Sequence, residues 1–396
     1  MRTSHTLSDS VTWEAATLSE PTTLLLVQSD PVIVDGNRRA IRSKTLSGIL
    51  AFCDRWPGDV VVSAPTVRAR PSESLPLHVW LDQDDALFAI LTGMAPEEAA
   101  KRCSPAVVLA LHSAANYALL DAYARRTVFT FENGARQRLR IEMLQASASL
   151  SRARILVGHG RRLRAFRRSL RAAGGAQCNG YAAWDAAAGA ARSAVLFFDH
   201  RVTERELRRA PDPRPASAGA LRLGFSGRHI AIKGPHDALD VVAALRADGA
   251  DVEMTIFGDG PLRGELQRRG VDGVTFTGDL DFETAWMPTV RSNIDLMVLP
   301  YPQGDPAGTY LESFALGVPV LGYANDAFAP LARKHEVGWA VPVGHSAELI
   351  AEGRRLLSDA EDIRARSENA LDFARRHSME HEFDVRVEHL RTVAQM

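Results

Sequence analysis

Two cations flank a flexible turn early in the second half of this 396-residue chain: Gly227-Arg228, then Lys233-Gly234 beginning five residues beyond Arg228. Arginine grips phosphate oxygens with a fork of N–H donors and lysine acts as a point charge, so the pair suits a diphosphate. Gly258-Asp259-Gly260-Pro261 ends a later apolar run, with Pro261 fitting the first position of a following helix. Gly278-Asp279 ends the next run in the same manner. The densest stretch is Gly304 to Tyr323, GDPAGTYLESFALGVPVLGY. It holds a loop with Gly304 and Gly308, a helical run from Thr309 to Leu316, and one acid, Glu312, about a turn in. Gly317 stops that helix and Pro319 prevents its restart. Gly308 lets backbone approach a ligand closely, the helix N-terminus offers N–H groups to a phosphate, and Glu312 can accept hydrogen bonds from hydroxyls. Any one of these stretches reads as well as a solvated turn. Glycine plus a polar residue at four strand ends points to a ligand held along one sheet edge.

The elements that must position these residues alternate between strand and helix. In the first half, strands are expected at Thr22–Gln28, Asp59–Ala64, Leu77–Leu81, Ala106–Leu111 (ending at His112), Thr127–Phe131 (ending at Glu132) and Ala194–Phe198. Helices are expected from Ser43 to Trp56, Ala114 to Arg126, 135–150 and 161–172, with a short strand, Ile155–Val157, between the last two. Residues 210–220 carry three prolines and no periodicity and read as a linker. The alternation then restarts, with strands at Leu221–Phe225, Val252–Phe257, Val274–Thr277, Asp295–Leu299 and Val318–Leu321. This predicts an α/β protein of two doubly wound domains with a cleft between them. The expected division is a flexible tail (1–20), a first domain (21–209), the linker, a second domain (221–377) and a closing helix (378–396).

Composition narrows the class. Lys plus Arg is 47 and Asp plus Glu is 48, so nothing suggests bulk nucleic-acid binding. Cys53, Cys103 and Cys178 are odd in number and widely spaced, which indicates neither a disulfide framework nor a zinc site. The polar first 20 residues lack a signal-peptide pattern, and no apolar run reaches a membrane span of roughly 18 residues. A cytoplasmic location is expected. Only four lysines occur, Lys44, Lys101, Lys233 and Lys334, a hint that a compact ammonium is wanted at those positions.

In SGRHIAIKG (226–234), IFGDGPLR (256–263), VTFTGDL (274–280) and the 304–323 stretch, in this order and spacing across about 100 residues, the chain resembles glycosyltransferases of the GT-B fold, family 4. The first half matches only in strand order. The resemblance implies two facing Rossmann-like domains, acceptor on the first and nucleotide-sugar on the second, with retention of anomeric configuration and no metal or other cofactor. Arg228 and Lys233 would bind the diphosphate, Glu312 the ribose hydroxyls and backbone near Asp279 the base. Gly227, Gly258, Asp259, Gly260 and Pro261 would line the nucleotide pocket, with Gly308, Thr309 and Tyr310 beside the phosphates. His112 falls at the strand end where the family often places a histidine beside the transferred sugar; an ordinary loop histidine is the alternative. One departure stands out. The family pattern is Glu-x7-Glu, and the position eight residues before Glu312 is Gly304. Asp305 is the nearest acid, one methylene shorter than the expected glutamate.

The reading is a retaining transferase moving a sugar from a nucleotide donor to a hydroxyl acceptor: a surface polysaccharide, a lipid-linked sugar or a natural product. Its rivals are a nucleotide-sugar epimerase on the same scaffold and an impaired nucleotide-sugar-binding subunit. Gly36, Asn37, Arg38 and Glu132 are the acceptor-side candidates, Arg38 and Arg39 being able to meet an anionic acceptor. Asp82-Gln83-Asp84-Asp85 has the look of a metal-binding acidic motif but reads better here as a solvated loop. Arg161, Arg162, Arg164, Arg167, Arg168 and Arg171 crowd one helix, with Leu163, Phe166 and Leu170 along one side. That pattern suits either a solvated face or an interfacial helix on the anionic inner face of a membrane.

Overall fold

The computed structural model describes residues 22–68, 78–82, 86–134, 137–139, 142–143, 149–209, 220–304 and 306–396. The expected tail, the linker up to 219, residues 83–85 of the acidic motif and Asp305 lie outside them.

The first half contributes β1 (Leu24–Val27), β2 (Val32–Asp35), β3 (Arg38–Arg42), β4 (Val60–Ala64), β5 (Thr66–Arg68), β6 (His78–Asp82), β7 (Ala89–Thr92), β8 (Val107–Leu111), β9 (Thr127–Phe131), β10 (Gly175–Asn179) and β11 (Ala194–Phe197). Seven of them form a parallel sheet in the order β11-β10-β9-β8-β1-β4-β7. Leu24 and Leu26 face one apolar layer, Leu25 and Val27 the other, as the two-residue period of a strand covered on both faces requires. The second half contributes β12 (Leu221–Ser226), β13 (Val252–Phe257), β14 (Val274–Gly278), β15 (Leu296–Leu299), β16 (Val320–Tyr323) and β17 (Gly338–Val341), parallel in the order β14-β13-β12-β15-β16-β17. In each sheet the first strand lies inside, β1 between β4 and β8, β12 between β13 and β15. The connections leave these strands in opposite directions, which opens a crevice at their carboxyl ends. The last helix, Met379–Ala394, returns to the first domain, packing Phe383, Val387, Leu390 and Val393 against Leu24, Leu26 and Phe52.

Several expectations need correction. The strand read near Leu77–Leu81 exists as β6, but it joins a separate four-stranded sheet, β5-β2-β3-β6; the main sheet takes β7 instead. Ile155–Val157 is no strand: one helix runs unbroken from Ser149 to Ala172, and Leu156 and Val157 stand 54% and 83% exposed on it. Residues 114–126 form a short helix, Leu119–Tyr123, between two tighter turns rather than one helix. β10 was not foreseen because GAQCN looks polar. Gln177 is buried there because Arg386 of the last helix donates to its Oε1 (2.8 Å) and its Nε2 donates to the Arg386 carbonyl (2.9 Å).

Candidate active site

The crevice of the second sheet collects most of the expected residues. After β12 the chain turns through Gly227 and Arg228, whose side chain is exposed, to a single tight turn at Ala231–Lys233. Gly234 has φ +62°, and a Cβ there would stand 2.1 Å from the Pro300 carbonyl oxygen, so only glycine fits. Lys233 Nζ lies 4.3 Å over the ring of Tyr301, whose hydroxyl donates to the Ser226 carbonyl. Thr309 hydrogen-bonds the same tyrosine, and the ring of Tyr310 is 5.6 Å from it. Glu312 is buried, one turn into the helix Gly308–Phe314. Lys233, Thr309, Tyr310 and Glu312 therefore form one patch at the switch of β12 and β15, with Arg228 on the turn beside it.

The neighbouring glycines have a packing reason of their own. Gly258 has φ +98°, a Cβ on it would reach within 2.3 Å of the Gly227 carbonyl oxygen, and its N–H donates to Gly278 (2.9 Å). The turns after β12, β13 and β14 thus touch backbone to backbone. Asp259 accepts from Gly260 N (2.6 Å) and Arg263 Nη1 (2.7 Å), and these bonds hold its carboxyl below the usual carboxylate range. Pro261 does not open the helix, which begins at Arg263; it is an exposed turn residue two positions earlier. Asp279 is exposed just after β14.

The segment crossing between the domains supplies residues that were not foreseen. Arg201 Nε donates to Glu312 Oε1 (3.1 Å), while its guanidinium lies 3.8 Å over the Phe282 ring. The carboxylate expected to hold a ribose is therefore latched from the irregular segment that follows β11. Two residues earlier, Asp199 pairs with Lys44 Nζ at 2.6 Å. Burial pushes the Asp199 carboxyl up, but the ammonium outweighs it and holds the group below its ordinary range. Lys44 was legible only through the scarcity of lysine; Arg201 had no signal among so many arginines. Arg386 is buried against the rings of Phe52, Phe197 and Phe383, and burial lowers it to about 10.

Two cavities flank the loop that precedes the helix at Gly308. One, of about 380 Å³, opens at the switch of β1 and β8; Asp30, Lys44, Glu132, Asn179, Asp199 and Arg386 stand around an apolar floor of Leu26, Phe52 and Phe383. The other, of about 590 Å³, lies between the domains, with Gly134, Gln137, Phe166 and Asp185 on one side and Asn325, Asp326 and Arg333 on the other.

Of the acceptor-side candidates, Glu132 lines the first cavity. Gly36 (φ +54°), Asn37 and Arg38 do not; they form the tip of the β2–β3 hairpin, where Arg38 stacks 5.0 Å from the Trp80 ring. His112 also fails to reach the cleft. It is 1% exposed, bonded through Nε2 to Ser169 Oγ (2.8 Å) and Tyr117 Oη (3.1 Å), and stacked on Phe131. Burial, with Arg138 nearby, drives it down to about 3, so it stays neutral in the core. On the arginine-rich helix, Phe166 and Leu170 are buried in the first domain's core; the arginines are exposed, but the expected apolar stripe is taken. Among the described residues no helix is long and apolar enough to cross a membrane.

Two facing Rossmann-like domains with the last helix returning to the first make this a GT-B fold. HepE of Anabaena, in complex with UDP and glucose, superposes with a TM-score of 0.62 over 95% of this chain and 100% of its own, at 15% identity. Sucrose-phosphate synthase from Thermosynechococcus elongatus gives 0.64 over 94% and 98%, also at 15%. Residues 220–359 match the family described as Glycosyl transferases group 1. The chain is 28% identical over 156 residues to the 2-deoxystreptamine glucosyltransferase of Streptomyces kanamyceticus, which is 38% of this chain and 40% of that protein. Phosphatidyl-myo-inositol mannosyltransferase of Mycobacterium leprae is 33% identical over 143 residues, 34% of this chain and 38% of its own length. Each of these matches spans about two fifths of the relative.

Proposed function

We propose that this protein transfers a sugar from a nucleotide-sugar donor to a hydroxyl acceptor, with retention at the anomeric carbon and without a metal. The observation that carries the reading is the patch of Lys233, Thr309 and Glu312 at the switch of the second sheet, beside Arg228 and within reach of Arg201 from the first domain. In the reaction the bond from anomeric carbon to diphosphate oxygen breaks and its electron pair leaves with the diphosphate. The acceptor oxygen bonds to the same face of that carbon, and the acceptor's proton passes to the departing phosphate. Arg228, Lys233 and the N–H groups at Gly308 and Thr309 stabilise the growing negative charge, and this preference for the transition state is the catalysis. Glu312 takes the ribose through the oxygen that Arg201 leaves available. His112, closed into the core, has no part in this mechanism.

UDP is the first donor nucleotide to try, because HepE is seen with UDP and with UDP-glucose. The cavity of about 380 Å³ at β1 and β8 is the acceptor pocket in this reading; its volume suits one ring-sized polyol, and the relative's name carries such a molecule, 2-deoxystreptamine. The exposed arginines of Ser149–Ala172 would meet an anionic surface mainly by charge, Phe166 and Leu170 being buried in the first domain. Incubation with UDP-sugars and a set of cyclitol and monosaccharide acceptors, with and without a chelator, should release UDP only when both substrates are present. Conversion of the sugar with donor alone would favour the epimerase rival, and nucleotide binding without turnover across the set would favour the binding subunit.

A further inference from the structure

On the last helix an arginine interrupts the apolar stripe. Phe383, Val387, Leu390 and Val393 recur at helical spacing and pack on the first sheet, and Arg386 lies on the same buried face, only 8% exposed. We propose that Arg386 selects an acceptor carrying an oxyanion, a carboxylate or a phosphate, and that the cavity at β1 and β8 seats this group against it. The inference rests on the acceptor reading given above for that cavity and adds the charge class of the ligand and the residue that reads it. Arg386 Nε donates to Gln177 Oε1 (2.8 Å), its only side-chain hydrogen bond among the described residues. The donors on its two Nη atoms have no partner there, yet neither Nη is sealed from solvent. Arg386 lines the cavity, so these donors have it to face. The rings of Phe52, Phe197 and Phe383, 4.8, 4.2 and 5.0 Å from the guanidinium carbon, attract a cation but do not replace an oxygen acceptor.

The charge is also unmatched. Asp199 and Glu382 are the acids whose fields reach Arg386, and both are engaged elsewhere. Asp199 pairs with Lys44 Nζ at 2.6 Å; Glu382 bonds His377 Nδ1 (2.7 Å) and accepts from Phe198 N (2.9 Å). Burial lowers Arg386 only to about 10, so it stays charged at neutral pH. A buried cation without a counter-ion is costly, and an oxyanion brought by a ligand offsets that cost through the guanidinium fork. Phe52 and Phe383 also form the cavity floor, so the guanidinium lies at the deep end. The remaining acids of the cavity are more exposed. Glu132 is at the surface, and Asp30 is half-buried and accepts from Thr45 Oγ1 (2.9 Å). Water and salt screen charges so placed far more than a buried guanidinium, so these acids suit the hydroxyls of a ligand whose anion points inward. A volume of about 380 Å³ accommodates one ring with such a substituent.

The test is titration calorimetry of the full chain with glucose, glucosamine, glucuronate and glucose 6-phosphate, one ring in different charge states. UDP is kept saturating, so that a phosphate probe does not enter the donor cradle. Glucuronate or glucose 6-phosphate should bind the wild type at least about tenfold more tightly than glucose, the worth of one charge-assisted hydrogen bond, and the tighter of the two tells carboxylate from phosphate. Arg386→Met, which keeps an apolar stem in the stripe, should erase that preference and leave UDP binding within about twofold. Arg386→Gln, neutral but still able to bond Gln177, should do the same, and it decides the matter if the methionine variant does not fold. An anion preference that survives in a folded variant overturns the inference, because the arginine would then only hold the helix. No anion preference in the wild type, or tighter binding of glucosamine than of either anion, overturns it as well. If the wild type binds no UDP, the donor reading fails, and the same titrations without nucleotide still decide this one.

Discussion

Glu312→Gln isolates the charge on which the ribose assignment rests. Glu312 Oε1 already accepts from Arg201 at 3.1 Å, and the two side chains are 8% and 32% exposed. One oxygen therefore remains for a ribose hydroxyl. A hydrogen bond to a charged group contributes about 1.5–3 kcal/mol, and each 1.4 kcal/mol is tenfold in affinity, so UDP should bind roughly 10- to 150-fold more weakly to the variant. Stability should change little. Glutamine still offers Arg201 an oxygen, the guanidinium keeps its contact with Phe282, and a partly exposed pair contributes about 1 kcal/mol or less. Calorimetry with UDP and with its 2′,3′-dideoxy analogue separates the causes. The variant should lose affinity for UDP while the two proteins bind the dideoxy compound alike. Equal weakening for both ligands, or none for either, would refute the idea that this carboxylate holds the ribose.

Further outcomes follow from the same geometry. Lys233→Ala should lower kcat/KM by about 10²- to 10³-fold in a transfer assay, by analogy with losing one oxyanion donor, and Arg228→Ala should do the same. His112 has a folded pKa of about 3, below its unfolded value near 6.5, so its contribution to stability is complete above pH 6.5 and is lost as pH falls toward 3. Denaturant unfolding should therefore show a loss of up to about 1.4 kcal/mol per pH unit in that window, and His112→Gln should flatten it. Gly234→Ala should cost about 2–6 kcal/mol, the sum of a left-handed backbone penalty and an overpacked contact with Pro300, read as a lower melting temperature. Anionic vesicles should retain the protein at low salt and release it at high salt, because attraction of exposed arginines to an anionic surface is screened by salt; flotation that is indifferent to salt would sink that idea.

The second domain was largely readable from the chain because its signals are local. Apolar runs such as Leu296–Leu299 are buried on both faces of a parallel sheet, and glycines such as Gly258 and Gly234 sit at positive φ where the backbone itself demands them. The first domain was less readable for the same reason. β10 carries Gly, Gln and Asn, and only a partner on the last helix, 209 residues away, makes Gln177 a core residue. The Ile155–Val157 triplet was apolar enough to suggest a strand, yet it has no sheet to join and lies on a helix with Leu156 and Val157 exposed.

The amino-acid order by itself determined the alternation of elements, the turns that must carry glycine and the cations set beside them, since all of these follow from near-neighbour stereochemistry and periodicity. Tertiary structure decided which polar groups face a ligand and which face each other. It closed His112 into aromatic packing, latched Glu312 with Arg201 from 111 residues away, and packed Gly304 against Asp326 and Gln137. A buried charge or amide must find a partner, and where that partner comes from is set by how distant segments pack, which no local pattern records.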